Sequence, residues 1–365
     1  MKLTGTTRRE LASAVKTACP AARTLFLNLG GCRIRVNSST DALNDALADY
    51  FKEFLTGEGE PQITLSAHQT PAPESDLAFN VKQPDPGKTR IKEEWIDLPD
   101  GRMVKKRLTG MLFLFGQGEN VAVGPCRENV NQVINFVNNR FIEWKLNQGG
   151  FLGHAAGVRS GKRGISLAGF SGAGKSTLAL HLMSKGATFI SNDRVMVERD
   201  GEGLTMYGVA KQPRINPGTA LNNPDLHCVV EPELRGRFLS LPKDELWGLE
   251  HKYDALIDEC YGPGRFELRC PMNALIILNW TRDDTPLRAG MADPHERRDL
   301  LPAFMKSTGL FYLPDDPARR GDPDEDAYAD LLAGADLIEI AGGVDFDRAS
   351  EVCLHYMKTG RLPAD

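Results

Sequence analysis

The chain has 365 residues, 41% of them hydrophobic and 25% charged, with a formal net charge of −5. This balance is typical of a globular protein of about two domains, and it excludes the strongly basic composition of nucleic-acid or acidic-membrane binders. No apolar signal-peptide core opens the chain and no run is long enough for a spanning helix, so we expect a cytoplasmic protein with no nucleic acid and no membrane as partner. Seven scattered cysteines without a CxxC pair fit a reduced compartment and argue against a disulfide framework or a zinc site.

Residues 1–147 are predicted to form an α+β domain. A hairpin is expected about Gly30-Gly31, and a helix after an N-cap at Thr40. An amphipathic helix is predicted over 127–147, and Gln148-Gly149-Gly150 ends it, which places the domain boundary there. This N-terminal domain is a candidate for binding substrate or a partner, or for assembly. Its other predicted strands are ITLSAHQ, EEWIDLP, MVKKRLTG, MLFLFG and NVAVGP.

Residues 148–365 alternate apolar strands with helices, which predicts an α/β domain around a largely buried sheet. The predicted strands are RGISLAGF, TFISND, NALIILNW and DLIEIAGG, and the predicted helices cover 175–185, a segment near 295–306, and 346–358.

The segment GFSGAGKS, from Gly169 to Ser176, matches the phosphate-binding pattern G-x-x-x-x-G-K-[ST] between a strand and a helix. Glycines let successive backbone N–H groups point inward, which makes an anion site at a helix N-terminus. Lys175 is expected to reach the β- and γ-phosphates of a nucleotide, and Ser176 to coordinate Mg²⁺. The alternative is a plain glycine-rich turn. The predicted nucleotide-binding residues are Gly169, Ser171, Gly172, Ala173, Gly174, Lys175, Ser176 and Thr177.

Such a site needs an acidic residue at the end of a neighbouring strand, and Asp193 follows the predicted strand 188–191. With Ser176 it is the predicted metal ligand. Asn192-Asp193 could instead be only a turn before a strand RVMVER. His154 lies in the apolar run GFLGHAAGV, where a lone histidine is more often a core residue than a site residue.

The segment 150–197 resembles the catalytic core of HPr kinase/phosphorylase and its relatives. Its spacings from His154 to Gly169 and from Lys175 to Asp193 agree with the family pattern without gaps. SNDRVMV, KQPRINPGTA and KYDALIDECYGPG are most similar to the branch named HPr-kinase-related kinase B. The resemblance implies a P-loop kinase core of the phosphoenolpyruvate-carboxykinase-like type, preceded here by the α+β domain.

The resemblance also implies an activity. The family transfers the γ-phosphate of ATP, with Mg²⁺, to a hydroxyl, a serine of a small carrier protein in HPr kinase itself. It makes His154 the active-site histidine and Asp193 the second acid of a pair. Because the family forms hexamers, a homo-oligomer is left open. A carboxykinase is disfavoured, since no second acidic metal motif is present.

The chain departs from the family where the first acid of the pair is Asn192. An amide cannot take the acceptor's proton, so Asp193 takes it, His154 takes it, or positioning dominates and no strong base is needed. Metal binding would depress the pKa of Asp193, which favours His154 or positioning. The family's downstream R-G-x-G signature is also absent. Neither HPr as acceptor nor reverse phosphorolysis is therefore carried over.

The resulting hypothesis is an ATP- and Mg²⁺-dependent kinase for a protein serine or small-molecule hydroxyl. Its candidate catalytic residues are His154, Lys175, Asn192 and Asp193. The alternative is an ATP-binding switch or NTPase scaffold that regulates a partner without phosphorylating it.

Three weaker candidates complete the set. Lys211 and Arg214 could bind an acidic substrate or belong to a solvated loop. The charged stretch 250–259 alternates like an edge strand, whose charges face either solvent or a substrate or metal. HERRDLL is predicted to be an exposed helix face, with Arg297 or Arg298 as a candidate arginine finger toward a neighbouring subunit.

Overall fold

The computed structural model describes residues 1–84, 89–242, 245–246, 249, 251–316 and 321–364. The chain divides into two compact units, Met1–Asn147 with Thr308–Arg320, and Gln148–Ser307 with Gly321–Asp365. The sequence did not predict the return of 308–320 to the first unit. Glu250, which opens the charged stretch 250–259, lies outside the described residues.

The first unit is built on an eight-stranded sheet of order β2-β3-β4-β10-β9-β8-β7-β6. The pairs β3/β4 and β4/β10 are parallel and the others are antiparallel. Its strands are β1 (Lys2–Leu3), β2 (Arg23–Leu29), β3 (Cys32–Ser38), β4 (Ile63–Gln69), β5 (Glu74–Ser75), β6 (Asn80–Val81), β7 (Glu93–Leu98), β8 (Gly101–Lys106), β9 (Leu112–Gly116) and β10 (Glu119–Gly124). Its helices are α1 (Arg8–Ala18), α2 (Asp41–Tyr50) and α3 (Val130–Asn147).

Local sequence explains most of these helices. The Thr40 side chain accepts a hydrogen bond from the Leu43 backbone N–H at 3.3 Å, which is the predicted N-cap of α2. Helix α1 was not predicted; a capping box between Thr7 and Glu10 begins it, and its apolar face packs on strands β8 to β10. The buried Arg140 of α3 pairs with Glu143 and donates to the Phe311 carbonyl, which ties the segment around Phe311 to α3 in the first unit.

The second unit contains a six-stranded sheet of order β14-β12-β13-β20-β22-β21 and a four-stranded sheet of order β11-β15-β16-β19. Its strands are β11 (Phe151–Gly153), β12 (Ala155–Ser160), β13 (Arg163–Ala168), β14 (Thr188–Ser191), β15 (Val195–Asp200), β16 (Gly203–Tyr207), β17 (Arg214–Ile215), β18 (Tyr253–Asp254), β19 (Arg269–Pro271), β20 (Ala274–Thr281), β21 (Arg288–Ala292) and β22 (Asp336–Gly343). Its helices are α4 (Lys175–Ser184), α5 (Pro217–Leu221), α6 (Pro232–Leu239), α7 (Ile257–Tyr261), α8 (Glu325–Leu332) and α9 (Phe346–Thr359).

The central strands are apolar on both faces because both faces are covered. One face packs under α4 and α9, with Leu167, Leu178 and Ile338 among its buried residues. The other face packs against the four-stranded sheet and α8, with Leu275 and Ile277 buried there. This double cover produces the nearly continuous hydrophobic runs that predicted the strands.

Strand direction decides where the loops meet. Strands β13, β20 and β22 are parallel, while β12 is antiparallel to both β13 and β14. The carboxyl ends of β13, β14, β20 and β22 therefore lie at the same edge of the sheet, where β12 begins. We call this the carboxyl edge.

Two predicted elements differ in the structure. The helix expected near 295–306 is a 3-10 segment, Arg298–Ala303, because Pro302 inside it has no N–H to continue an α-helix. The strand expected within 250–259 is limited to Tyr253–Asp254, because the chain then turns into α7, where the Ile257 N–H bonds the Gln212 side chain at 3.0 Å. Across the described residues, no helix is long and apolar enough to span a bilayer.

Candidate active site at the carboxyl edge of the six-stranded sheet

The loop that joins β13 to α4 has a backbone that requires glycine at two positions. Gly172 and Gly174 adopt φ values of +80° and +85°, which L side chains disfavour. A Cβ on Gly174 would also lie 2.7 Å from the Phe346 ring. Gly174 caps α4 without any side-chain hydrogen bond, and the first turn of α4 contains no acidic residue. The helix thus directs its partial positive charge into the loop.

The Lys175 ammonium group is hydrogen-bonded to the start of the same loop. Its Nζ donates to the Gly169 carbonyl at 2.7 Å and lies 3.5 Å from the Phe170 carbonyl. Burial lowers the pKa of Lys175, the charge of Asp193 raises it, and the charge of Lys306 lowers it. Lys175 is therefore within electrostatic range of both side chains.

Aromatic side chains brace the loop from behind. Trp280, near the end of β20, donates from Nε1 to the Ala173 carbonyl at 2.9 Å. Its ring meets Phe346 edge-on, with centroids 5.1 Å apart, and Phe346 stacks on His181 at 5.6 Å. The loop conformation is thus set by contacts with β20 and α9 as well as by its glycines.

The predicted loop residues are not equally placed. Ser171 and Gly172 are exposed, while Gly169 is buried and Ser176 is half-buried. Thr177 is buried, and its hydroxyl bonds that of Thr219 in α5 at 3.1 Å. Its side chain therefore packs α4 onto α5, which leaves only its backbone N–H for a ligand.

His154 and Asp193 meet, with Nε2 and Oδ1 3.3 Å apart. The cause is the antiparallel pairing of β11 with β15, which aligns Gly153 with Val195 and so brings the residues beside them together. The His154 backbone N–H also donates to the Phe304 carbonyl at 2.6 Å. Because its side chain is 37% exposed, His154 is not the core histidine that its apolar neighbours allowed.

Gly153 permits this arrangement by its small size. A Cβ there would lie 2.3 Å from the Phe304 ring, so any larger residue would push the segment after the 3-10 turn away. With glycine, Gly153 forms a backbone bridge to Met305.

The β-bridge between Gly153 and Met305 also places a further charged residue near Asp193. Lys306 follows Met305, and its charge lowers the pKa of both Asp193 and Lys175. No motif marks Lys306 in the sequence, because only the long-range bridge brings it to the carboxyl edge.

Asp193 is held ionised. Burial raises its pKa, but the hydrogen bond with His154 and the positive charges of Lys306 and Arg194 outweigh burial and lower it well below the usual range. Its second oxygen lies 3.5 Å from Arg194 Nε. A carboxylate in this state is a poor proton acceptor at neutral pH.

Asn192 and Asp193 form the turn between β14 and β15. A position in a turn and a position in the candidate site are therefore compatible for these two residues. Strand β12 lies between β14 and β13, so the acid follows the next strand but one from the loop, rather than a direct neighbour. The Asn192 Oδ1 atom is buried and has no hydrogen-bond partner. A buried acceptor without a donor costs about 1–3 kcal/mol, which makes it a candidate ligand contact.

Of the two candidate substrate-binding residues, Lys211 lies near the carboxyl edge and Arg214 forms a surface ion pair. Burial and the charge of Arg194 lower the pKa of Lys211, while Asp193 raises it, so Lys211 belongs electrostatically to the same edge. Arg214 instead forms a surface ion pair with Asp254, at 3.1 Å across β17 and β18.

Both candidate arginine fingers form ion pairs within the chain. Arg297 pairs with Asp299 and Glu339, and Arg298 with Asp326. Within the described part of the chain, no three His, Cys, Asp or Glu side chains form a group that could hold a metal ion.

Comparison with known proteins leaves the family open. No family model matches the chain, and no curated protein matches it. A solved structure of the HPr(Ser) kinase/phosphatase from Coxiella burnetii aligns with 14% identity over 57% of this chain and 92% of that chain, with a TM-score of 0.30. This degree of similarity does not assign the chain to a family.

Proposed function

We propose that this protein is an ATP- and Mg²⁺-dependent kinase of the HPr kinase type, most like the kinase B branch, which transfers the γ-phosphate to a hydroxyl acceptor. The observation that carries the proposal is the convergence on one sheet edge of the glycine loop with Lys175 and of the His154–Asp193 pair. Phosphoryl transfer depends mainly on positioning and electrostatic stabilisation, and this edge offers donors and cations for both.

The donor groups fit a nucleotide triphosphate better than a bare cation. Backbone N–H groups of 170–175 and the Lys175 ammonium would hold the phosphates, and the Ser176 hydroxyl and Asp193 carboxylate would hold the metal. Mg²⁺-ATP supplies the transferable phosphoryl group, whose charge the metal partly neutralises. Lys306 and Arg194 already offset the charge of Asp193, so the phosphates would supply much of the negative charge that holds a divalent ion at this site.

His154 is the proposed proton acceptor. Its Nε2 faces Asp193, which orients the ring and stabilises it once it is charged, and Nδ1 is the nitrogen left to receive a proton from the acceptor hydroxyl. The unpaired Asn192 Oδ1 would accept a hydrogen bond from a second donor group of the acceptor, since the single hydroxyl proton goes to His154, and so help to position the acceptor. Asn192 thus holds the acceptor where the family has an acid that deprotonates it.

The test is incubation of the purified protein with γ-labelled ATP, Mg²⁺ and cell extract. We expect label on a protein or a small molecule, and at most a trace of label with a Lys175→Ala variant that remains folded. Labelled acceptor with Lys175→Ala at full turnover would contradict the assignment of the loop.

Asn192 also favours a second function, an ATP-binding switch that regulates a partner without phosphorylating it. An amide in place of a base would slow transfer and leave a long-lived nucleotide complex. Release of free phosphate alone, with no labelled acceptor at any extract concentration, would favour this switch over the kinase.

A further inference from the structure

Two thiols of the second unit lie next to each other outside the candidate active site. Cys228 Sγ and Cys260 Sγ are 3.5 Å apart. A disulfide bond is about 2.0 Å long, so bond formation needs the two Sγ atoms to approach each other by about 1.5 Å. Cys228 is exposed and Cys260 is half-buried, so an oxidant reaches the pair from solvent. The sequence gives no hint of this pair because its members are far apart in the chain and form no motif.

Both cysteines lie on segments that hold the far end of α4. Cys228 belongs to the 3-10 segment Pro224–Val229, whose N-cap Asn223 donates to the Leu180 carbonyl at 3.3 Å. Cys260 belongs to α7, whose Tyr261 hydroxyl donates to the same carbonyl at 3.2 Å. Asn223 also accepts from the Ser184 hydroxyl at 3.1 Å. The two segments together form a clamp on the last turns of the helix that begins at Lys175.

We propose that Cys228 and Cys260 are a reversible dithiol–disulfide pair, which on oxidation ties the two segments of this clamp together and stabilises the end of α4. This assignment does not depend on the proposed kinase activity. It concerns a local pair that opens and closes, and so differs from the structural disulfide framework that the scattered cysteines argued against.

With a glutathione-type disulfide as the oxidant, the exchange balances in two steps. The Cys228 thiol loses its proton and attacks one sulfur of the oxidant, which forms a mixed disulfide and releases one thiolate. Cys260 then loses its proton and attacks the Cys228 sulfur, which releases the second thiolate. The cysteines lose two electrons in total, the oxidant gains them, and the two released thiolates take up the two protons.

The environment sets this order of attack. Burial, the hydrogen bond with Cys228 and nearby carboxylates raise the pKa of the Cys260 thiol, so it is a weak first nucleophile. Cys228 is the more exposed of the two. Because Cys260 lies beside Cys228 in the same chain, its attack on the mixed disulfide is intramolecular.

The experiment equilibrates the purified full chain in buffers of reduced and oxidised glutathione, blocks free thiols with an alkylating agent, and maps peptides by mass spectrometry. We expect a cross-linked peptide pair containing Cys228 and Cys260 that disappears on reduction. Hydrogen exchange of the amides at 180–186 should slow by about threefold or more in the oxidised protein, since local opening of the clamp becomes less frequent.

Cys228→Ser should remove both effects, and its exposure makes this variant safe for folding. Cys19→Ser, which changes a half-buried thiol of the first unit, is the matched control and should leave both effects unchanged. A stable mixed disulfide at Cys228, a bridge to another cysteine, or no oxidation at all would overturn the pair. A Cys228–Cys260 bridge with unchanged exchange at 180–186 would overturn its effect on α4.

Discussion

At the edge of the six-stranded sheet where β13 and β20 begin, Tyr356 and Arg163 are hydrogen-bonded; at the carboxyl edge, a buried oxygen of Asn192 has no hydrogen-bond partner. At the first edge the Tyr356 hydroxyl meets the Asn273 carbonyl at 3.0 Å and Asp336 at 2.6 Å, and Arg163 donates to two carbonyls at the end of α9. At the carboxyl edge His154 meets Asp193, and the Asn192 oxygen has no partner.

A cleft alone does not mark the candidate site. The first edge borders a cleft of about 650 Å³, lined in part by Arg163, Asp336 and Tyr356. Its polar groups nevertheless satisfy the ends of strands and of α9, so they serve stability. The carboxyl edge combines a helix N-terminus with several cations, which is the combination that binds and stabilises a phosphate. The chemistry of the groups, and not the volume, therefore locates the candidate site.

The largest effect is expected when a charge is removed from the carboxyl edge. Lys175→Ala should lower phosphate transfer by about 10²–10³-fold, because one preorganised donor to the phosphates is lost. Lys162→Ala is the matched control, since Lys162 lies exposed in the turn between β12 and β13 at the opposite edge. Steady-state kinetics with labelled ATP measures both. Equal losses in the two variants would remove the distinction between the edges.

The His154→Gln variant tests whether His154 acts as a base or whether positioning of the reactants alone is sufficient. We expect kcat to fall by about 10²-fold with nucleotide affinity unchanged, because the ring is assigned to the proton and not to the phosphates. His355→Gln, an exposed histidine on α9, is the control. If kcat is retained in His154→Gln, positioning alone carries the reaction.

Asn192→Asp is expected to increase transfer, by up to about tenfold, because a carboxylate both accepts the acceptor's hydrogen bond and takes its proton. Initial rates at saturating ATP measure the change. A collapse of activity would show that the amide has a function that a carboxylate cannot replace.

The smallest effect should follow from a change at the opposite edge. Tyr356→Phe should lower the free energy of unfolding by about 1–2 kcal/mol, because Tyr356 is 2% exposed and its hydroxyl bonds both Asn273 and Asp336. Transfer at a temperature where the protein is folded should be unchanged. Urea unfolding together with the kinase assay tests both parts, and a loss of transfer without a loss of stability would contradict the comparison.

The local elements of the second unit were predictable from the sequence. The strand before Gly169 and the helix from Lys175 are in the structure, because apolar runs and helical spacing are local signals. The helix expected near 295–306 was wrong, since Pro302 prevents regular hydrogen bonding there. The role of each site residue stays a prediction.

The sequence by itself determined the glycine loop, since φ values near +80° at Gly172 and Gly174 depend on the residue type itself. Only the tertiary structure decided which groups meet the loop and which thiols meet each other. The position of Lys306 near Asp193 depends on the β-bridge between Gly153 and Met305. The contact between Cys228 and Cys260 depends on the packing of two segments on α4. These contacts join residues far apart in the chain, where strand order and register, rather than local preference, set the distances.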